Sequence, residues 1–393
     1  MPGGNMAWLK GALVAPLEER WRGVLDGVAR SQNFPGSQDI KALGAAVAQL
    51  SAFYNGLAPE VPARLALAAR LSFSFPRDVP KGAAAVAELA PMLPRDRPLR
   101  VLDLGAGLGA MTWGVVRALA ALGVEGELQA TLVDQDPQAL ALASRIATAA
   151  RGEGGVTLRA RTITSDLGHV PSQEADLVLV GQALSEMNEG LPAAERVARQ
   201  VAWLHERLES NVTPGGALVV VEPALRERTR HLHQLRAGLI AQGWSVFAPC
   251  LHDLGCPMMA NDRDWCHEDR PVDLPDWLVP TARTAGLRFQ GLTFSYLVLR
   301  RDRRTLRSLV PAGTLRAVNL PRKTKGKLEI DLCGEATAPA SLRAMRLDRD
   351  ATEANAPWEE VQRGDLVHLP LLPPGSGRLG RETTVALVQE PLP

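Results

Sequence analysis

An α/β architecture is what this sequence of 393 residues predicts: a parallel sheet covered by helices on both faces, with a helical N-terminal region and a small β-rich C-terminal domain. Two observations carry it. From Leu99 to Arg300 short apolar runs alternate with helical stretches, the pattern of strands that cross over through helices. Near the start of that alternation, Val101-Leu102-Asp103-Leu104-Gly105-Ala106-Gly107-Leu108-Gly109 sets a strand directly before glycines and a helix directly after them. The chain is too long for one ordinary core, so several domains are expected. We read a helical region over 1–94, the α/β domain over 95–304 with a cysteine-bearing insert at 249–268, and the β-rich domain over 305–393.

In the N-terminal region apolar residues recur at three-to-four spacing over Trp21 to Val28, Leu43 to Leu50 and Ala83 to Leu89, which predicts helices. Pro91, Pro94 and Pro98 then end the pattern. The α/β domain predicts strands at Arg100 to Leu104, Leu128 to Asp134, Val156 to Ser165, Leu177 to Val180 and Ala217 to Val221. Helices fit between them at Ala110 to Leu122, Pro137 to Ala149 and Ala193 to Glu209. A helix from Leu225 to Gln242, a short run at Val246 to Ala248 and the cysteine insert follow. A helix near Trp277 to Ala285 and a final pair of strands within Leu287 to Leu299 complete the domain. The last region offers strand-like runs at Lys327 to Leu332, Asp365 to Leu371 and Thr383 to Val388.

The formal charge is +1, so the whole molecule is not drawn to nucleic acid and any RNA contact must be local. One basic stretch exists, over 300–327: Arg300, Arg301, Arg303, Arg304, Arg307, Arg316, Arg322, Lys323, Lys325 and Lys327 against the single acid Asp302. It reads equally as a solvated linker or as a phosphate-contacting surface. No apolar run reaches the roughly 18 residues of a membrane span. The early acids Glu18, Glu19 and Asp26 do not suit a secretory or transit segment, so a cytoplasmic protein is expected. Four cysteines are too few for a disulfide scaffold and would stay reduced there, free for metal or catalysis.

Glycines after a strand let the backbone approach a ligand, and a dinucleotide is the ordinary occupant. Three acids shift the reading toward S-adenosylmethionine and a class I methyltransferase (Rossmann-like) domain. Asp103 ends the first strand, where a carboxylate can hold the methionine ammonium. Asp134 ends the second, where it can accept from both ribose hydroxyls. Asp166 follows the third, near an adenine amino group. The closing strands ending Phe294-Ser295-Tyr296-Leu297-Val298-Leu299 suit the antiparallel end of such a sheet. The cofactor set is therefore Asp103, Gly105, Gly107, Gly109, Asp134 and Asp166. After the fourth strand, Gly181-Gln182-Ala183-Leu184-Ser185-Glu186 contains neither a base-gripping Asn-Pro-Pro-aromatic run nor a cysteine nucleophile. Cofactor binding is thus better supported than methyl transfer, and no catalytic residue is assigned.

Cys250, Cys256 and Cys266 fall within one short loop rich in proline and glycine, and Cys333 lies far along the chain. Four thiolates can converge on a metal, and the donor set suits zinc and an iron–sulfur cluster alike. The spacing matches neither a paired CxxC ribbon nor a ferredoxin run, and four unrelated small hydrophobes is the bland alternative. His252 and His267 are candidate substitute ligands or donors to the sulfurs.

Taken together, over roughly residues 76–367, the chain resembles the methyltransferase-like assembly factors of the mitochondrial small ribosomal subunit and their bacterial relatives. The resemblance rests on Leu102 to Gly107 followed by Thr112-Trp113, on Glu222-Pro223, and on Pro249-Cys250 with His252, Cys256-Pro257 and Trp265-Cys266-His267. Phe294-Ser295-Tyr296 and Asp331-Leu332-Cys333 with Arg363-Gly364-Asp365 complete it. Leu251, Glu268, Leu292-Thr293 and Pro80-Lys81-Gly82 depart from the family pattern. The resemblance implies a [4Fe-4S] cluster on Cys250, Cys256, Cys266 and Cys333. It also implies a factor that acts on the small ribosomal subunit and contacts rRNA; with the reading above, the expected place is a bacterial cytoplasm, and zinc is the alternative metal. An ordinary RNA or small-molecule methyltransferase and a non-catalytic rRNA scaffold are the competing functions.

Overall fold

The computed structural model describes residues 15–338, 340–370 and 377–388. They form two compact units interleaved along the chain, one running up to Ala183 and taking back Pro271–Leu292, the other built from Leu184–Arg270 and the chain from Thr293 onward.

The first unit begins with helices α1 (Glu19–Ser31), α2 (Ile40–Tyr54), α3 (Ala63–Ala69) and α4 (Phe75–Ala87). In α1 the buried residues Trp21, Leu25, Val28 and Ala29 make one apolar stripe. A π-helical turn, Arg70–Ser74, joins α3 to α4, and α4 carries Pro80 inside it where the sequence suggested a later start. Strands and helices then alternate as expected: β1 (Leu99–Leu104), α5 (Ala110–Ala121), β2 (Gly126–Asp134), α6 (Pro137–Ala150), β3 (Gly152–Glu153), β4 (Val156–Thr164) and β5 (Ala175–Gly181). Within this unit the strands lie in the order β3-β4-β2-β1-β5, and the pairs β4–β2, β2–β1 and β1–β5 are all parallel. Helix α6 starts where the sequence stops it from starting earlier: the Asp136 carboxylate accepts from Gln138 and Ala139 N–H, and Pro137 occupies the first position. The buried Arg117 of α5 ties the N-terminal region to the α/β layer through Glu18 and Glu153, both at 3.0 Å.

The second unit contains α7 (Ala193–Ser210), β6 (Val212–Glu222), α8 (Arg226–Ala241), β7 (Val246–Ala248) and β8 (Glu268–Arg270). A short helix of the first unit, α9 (Val279–Thr284), intervenes before β9 (Leu292–Arg300). Strand β9 runs antiparallel between β6 and β7, and β8 also pairs with it. The expected pair of strands within Leu287 to Leu299 is therefore a single strand. Gly286 and Gly291, at φ of 68° and 72°, break the extended run, and β9 finds its partners far away in sequence. The orders 3-2-1-4, counting parallel strands, in one unit and 5-7-6 with an antiparallel seventh strand in the other are those of the class I methyltransferase, Rossmann-like sheet.

The β-rich region holds β10 (Thr314–Ala317), β11 (Arg322–Thr324), β12 (Lys327–Cys333), β13 (Leu342–Leu347), β14 (Leu366–His368), β15 (Arg378–Leu379) and β16 (Ala386–Leu387). They form a sheet in the order β15-β13-β12-β10-β14-β16, with β11 on β12. Ile330, Leu332, Ala344, Trp358, Val361 and Val367 pack at its centre. The three expected runs become β12, β14 and β16; Leu371 lies outside the described residues. Strand β13 escapes a sequence reading because its two arginines, three residues apart, fall on opposite faces and break the alternation, Arg343 outward and Arg346 buried against Asn355 and Glu359.

Candidate functional site

The strand-to-helix turn after β1 is shaped by three glycines in the left-handed region: Gly105 at φ 69°, Gly107 at 51° and Gly109 at 82°. Their surroundings differ. A Cβ on Gly105 would meet Ala183 Cβ at 2.7 Å, and one on Gly109 would meet Leu132 Cδ2 at 2.9 Å, whereas one on Gly107 would meet nothing within 4 Å. Two glycines are thus fixed by close packing and the middle one opens on free space. The turn is held by Gly105 and Ala106 N–H donating to Val133 O, at 2.9 and 3.0 Å.

Asp103, the last polar residue of β1, is fully buried. Its Oδ2 accepts from Thr112 N at 3.1 Å and Thr112 Oγ1 at 2.7 Å, while Oδ1 has no partner among the described residues. Burial pushes this carboxyl up to about 7; the Thr112 hydrogen bonds oppose that, and the charge of Asp134 adds to it. Asp134 faces the same turn, Oδ2 accepting from Gly107 N at 2.7 Å and Oδ1 from Asp136 N at 2.9 Å. Ser165 N donates to Asp134 O at 3.0 Å, which brings the end of β4 and the following Asp166 alongside. Asp166 itself is exposed and accepts from Gly168 N and His169 Nδ1, at 2.7 and 3.0 Å, within its own loop. The geometry draws Asp103, Asp134 and the three glycines together, with Asp166 at the rim. Thr112, which sequence reasoning gave no role, proves to be the side chain that fixes Asp103.

All four cysteines belong to the second unit and are half-buried free thiols. Desolvation pushes Cys256 up to about 11 and Cys333 up to about 12, and Cys266 well above its ordinary range. Neighbouring cysteine charges raise all three further, Cys250 acting on each of them. The four sulfurs therefore lie within electrostatic reach of one another. No group of three or more His, Cys, Asp or Glu side chains among the described residues closes to the spacing that one metal ion requires. Helix α8 grips the insert: Arg236 donates to Leu254 O at 3.0 Å and His252 O at 2.6 Å and also reaches the Cys250 side chain. Arg230 donates to the carbonyls of Met258, Asn261 and Asp264. Of the two histidines, His252 Nε2 lies 3.4 Å from Cys333 Sγ. His267 instead stacks on Trp265 with ring centroids 5.4 Å apart.

The loop after β5 is held by side chains that the sequence reading did not single out for it. Leu184 N donates to buried Glu222 Oε1 at 3.1 Å, and burial pushes that carboxyl up to about 8. Arg196 and Arg228 both donate to Ser185 O. The basic segment proves two-sided. Arg300 and Arg316 are buried, on Asp302 and Gly364 O, so their guanidinium groups serve the fold. Arg307, Arg322, Lys323 and Lys327 each carry a surface ion pair, while exposed Lys325 in the β11–β12 turn has none among the described residues.

No curated protein matches the chain by sequence. Among solved structures, the plantazolicin methyltransferase BpumL, in complex with a monoazolic desmethylPZN analog and SAH, is 11% identical and covers 67% of this chain and 98% of its own, with a TM-score of 0.36. The plantazolicin methyltransferase BamL, 13% identical, covers 67% and 98% with a TM-score of 0.34. A SAM-dependent methyltransferase from Agrobacterium tumefaciens, 15% identical, covers 57% and 62%, again at 0.34. A family model described as mitochondrial small ribosomal subunit Rsm22 matches residues 71–344, a span that holds the glycine turn, the cysteine insert and Cys333. The chain belongs to the Rsm22 family.

Proposed function

We propose that the protein is an S-adenosylmethionine-binding, methyltransferase-like factor that acts on the small ribosomal subunit and carries an iron–sulfur cluster. The observation that carries the cofactor reading is the buried Asp103, whose unpartnered Oδ1 stands beside a glycine turn open at Gly107. An ionised carboxylate there can pair with a cation, and the methionine ammonium is one. Asp134 would take the ribose hydroxyls and Asp166 the adenine edge. When bound, S-adenosylmethionine supplies an electrophilic methyl group. The ribosomal part of the reading rests on the family, and the bacterial cytoplasm is the compartment we propose for it.

The titration of Asp103 gives a test. An ammonium pairs with the ionised carboxylate, so affinity for S-adenosylmethionine should fall about tenfold per pH unit below about 7 and level off above it. Calorimetric titration from pH 5.5 to 8.5 reads this; a flat wild-type profile, or a pH dependence that survives unchanged in Asp103→Asn, removes Asp103 from the site. Stability runs the other way. The unfolded carboxyl ionises near 3.9 and the folded one at about 7, so between those values the folded state holds the extra proton and stability declines as pH rises.

For the metal, the cluster reading rests on the resemblance, and its support in the structure is that the four thiols lie within electrostatic reach of one another. Four thiolates suit zinc as well, so the metal has to be counted. Cys250, Cys256, Cys266 and Cys333 would hold it, with Arg236 offsetting thiolate charge and His252 beside Cys333. Anaerobic purification with iron, sulfide and zinc counted per chain decides: about four irons and four sulfides support the cluster, and stoichiometric zinc without iron overturns it. Arg230→Ala, which touches no thiol, should free the insert's carbonyls and at least halve retained iron after gel filtration.

Ribosome engagement is read by sedimentation with purified small subunits. The surface face of the basic segment, Lys323 and Lys325 above all, is the proposed rRNA contact, so binding should weaken steeply with salt. A tritiated methyl donor then separates two uses of the cofactor. Label in rRNA assigns catalysis, and no label with retained binding assigns a structural ligand.

A further inference from the structure

Lys81 is buried, an uncommon state for lysine, and it lies in α4, outside the residues described above as the cofactor site. Its ammonium, with three protons to donate, has one partner among the described residues, Asp78 Oδ1 at 2.6 Å. Burial holds it below its ordinary value, with Asp78 opposing. Two donors are left in a place where an unused donor is costly.

Where α4 runs explains what could use them. A Cβ on Gly82 would lie 3.2 Å from Met111 Cα, and a Cβ on Gly114 would lie 2.8 Å from Gly82 Cα, so the two helices touch backbone to backbone at Lys81's neighbour. The stretch of α5 they touch, 111–114, contains Thr112, the residue that holds Asp103. Met111 in turn fills the space over Gly181, the last residue of β5. Lys81 is thus the neighbour of the α4 residue that packs on the first turn of α5, the helix that opens directly after the glycine turn at the carboxyl end of the parallel strands, where α/β sheets take their ligands.

We propose that Lys81, set by Asp78, receives the carboxylate of the cofactor's amino-acid end, while Asp103 receives its ammonium. The inference rests on the S-adenosylmethionine reading and adds a second point of recognition to it: a zwitterion gripped by one buried acid and one buried base. The ligand class that follows is narrow. Molecules with the ammonium but without the carboxylate should bind at least tenfold more weakly, and the thioether product stripped of both more weakly still.

The test compares S-adenosylmethionine with its decarboxylated analogue by calorimetry on the full chain. Wild type should prefer the carboxylate-bearing ligand at least tenfold. Lys81→Met should erase that preference, losing affinity for S-adenosylmethionine while keeping that for the analogue, and Lys81→Arg should restore part of it. A melting curve accompanies each variant, because replacing a buried pair member changes stability whatever its role; a merely structural lysine would shift the melt and leave the preference intact, which overturns the proposal. If Lys81→Met does not fold, Asp78→Asn takes its place, expected to loosen the preference several-fold. Wild type that binds neither ligand refutes the cofactor reading itself, and wild type that binds both equally refutes the role of Lys81 alone.

Discussion

Serine in place of Cys266 should strip the second unit of most of its iron and sulfide and lower its melting temperature by on the order of 10 °C, because metal binding free energy is folding free energy where ligands come from distant segments. Cys266 is the right probe because its thiol feels the charge of all three other cysteines. Cys333→Ser adds a second reading. Its sulfur arrives on β12, whose strand partners are β10, β11 and β13, so a cluster there staples the β-rich sheet to the insert gripped by α8. Loss of iron together with loosening of both parts, seen as faster proteolysis on each side of residue 300, is the expected result. A Cys333→Ser chain with unchanged iron content and melting temperature would sink the staple.

Valine at Gly107 should weaken S-adenosylmethionine binding by about 100-fold or more. Two effects combine. A β-branched residue at φ 51° costs roughly 1–3 kcal/mol of backbone strain, and its side chain enters the space that the ligand needs. Gly123 separates them: it sits at φ 65° with nothing within 4 Å of its Cβ, in the turn after α5. Gly123→Val bears the same strain with no ligand in prospect. Comparable melting temperatures with binding lost only in Gly107→Val support the site; equal binding in both variants would overturn it.

The strand, glycine turn and helix were legible because each depends on neighbours a few residues away, and the cap on α6 at Asp136 and Pro137 is read the same way. The ends of β2, β4 and α7 fell within a few residues of expectation for that reason. What escaped was assembled across the chain. Thr112 looks like any helical threonine until β1 brings Asp103 to it. Arg230 and Arg236 look like solvated charges on α8, and their purpose emerges only when an insert 16 to 34 residues later offers its carbonyls. The basic segment misled in a related way, because a count of charges carries no information about side. Arg316, counted with the rest, is 4% exposed and hydrogen-bonded to a backbone carbonyl. The cysteines were visible as a set, but one ion and a cluster take the same thiolate donors, so residue types alone do not choose between them.

The interleaving of the two units bears on how the protein is made. Helix α9 returns to pack on α2, so closely that a Cβ on Gly44 would stand 2.6 Å from Thr284 Cγ2. Nothing earlier than Pro271–Leu292 can fill that place. During synthesis, then, the N-terminal half leaves the exit tunnel with one layer missing and waits until the insert and α8 have also emerged. At elongation rates of roughly 5–20 residues per second, the stretch between Ala183 and Leu292 corresponds to about 5–20 seconds of exposure. Vectorial, one-domain-at-a-time folding is closed to this topology, and the face of α2 that α9 covers waits uncovered through that interval.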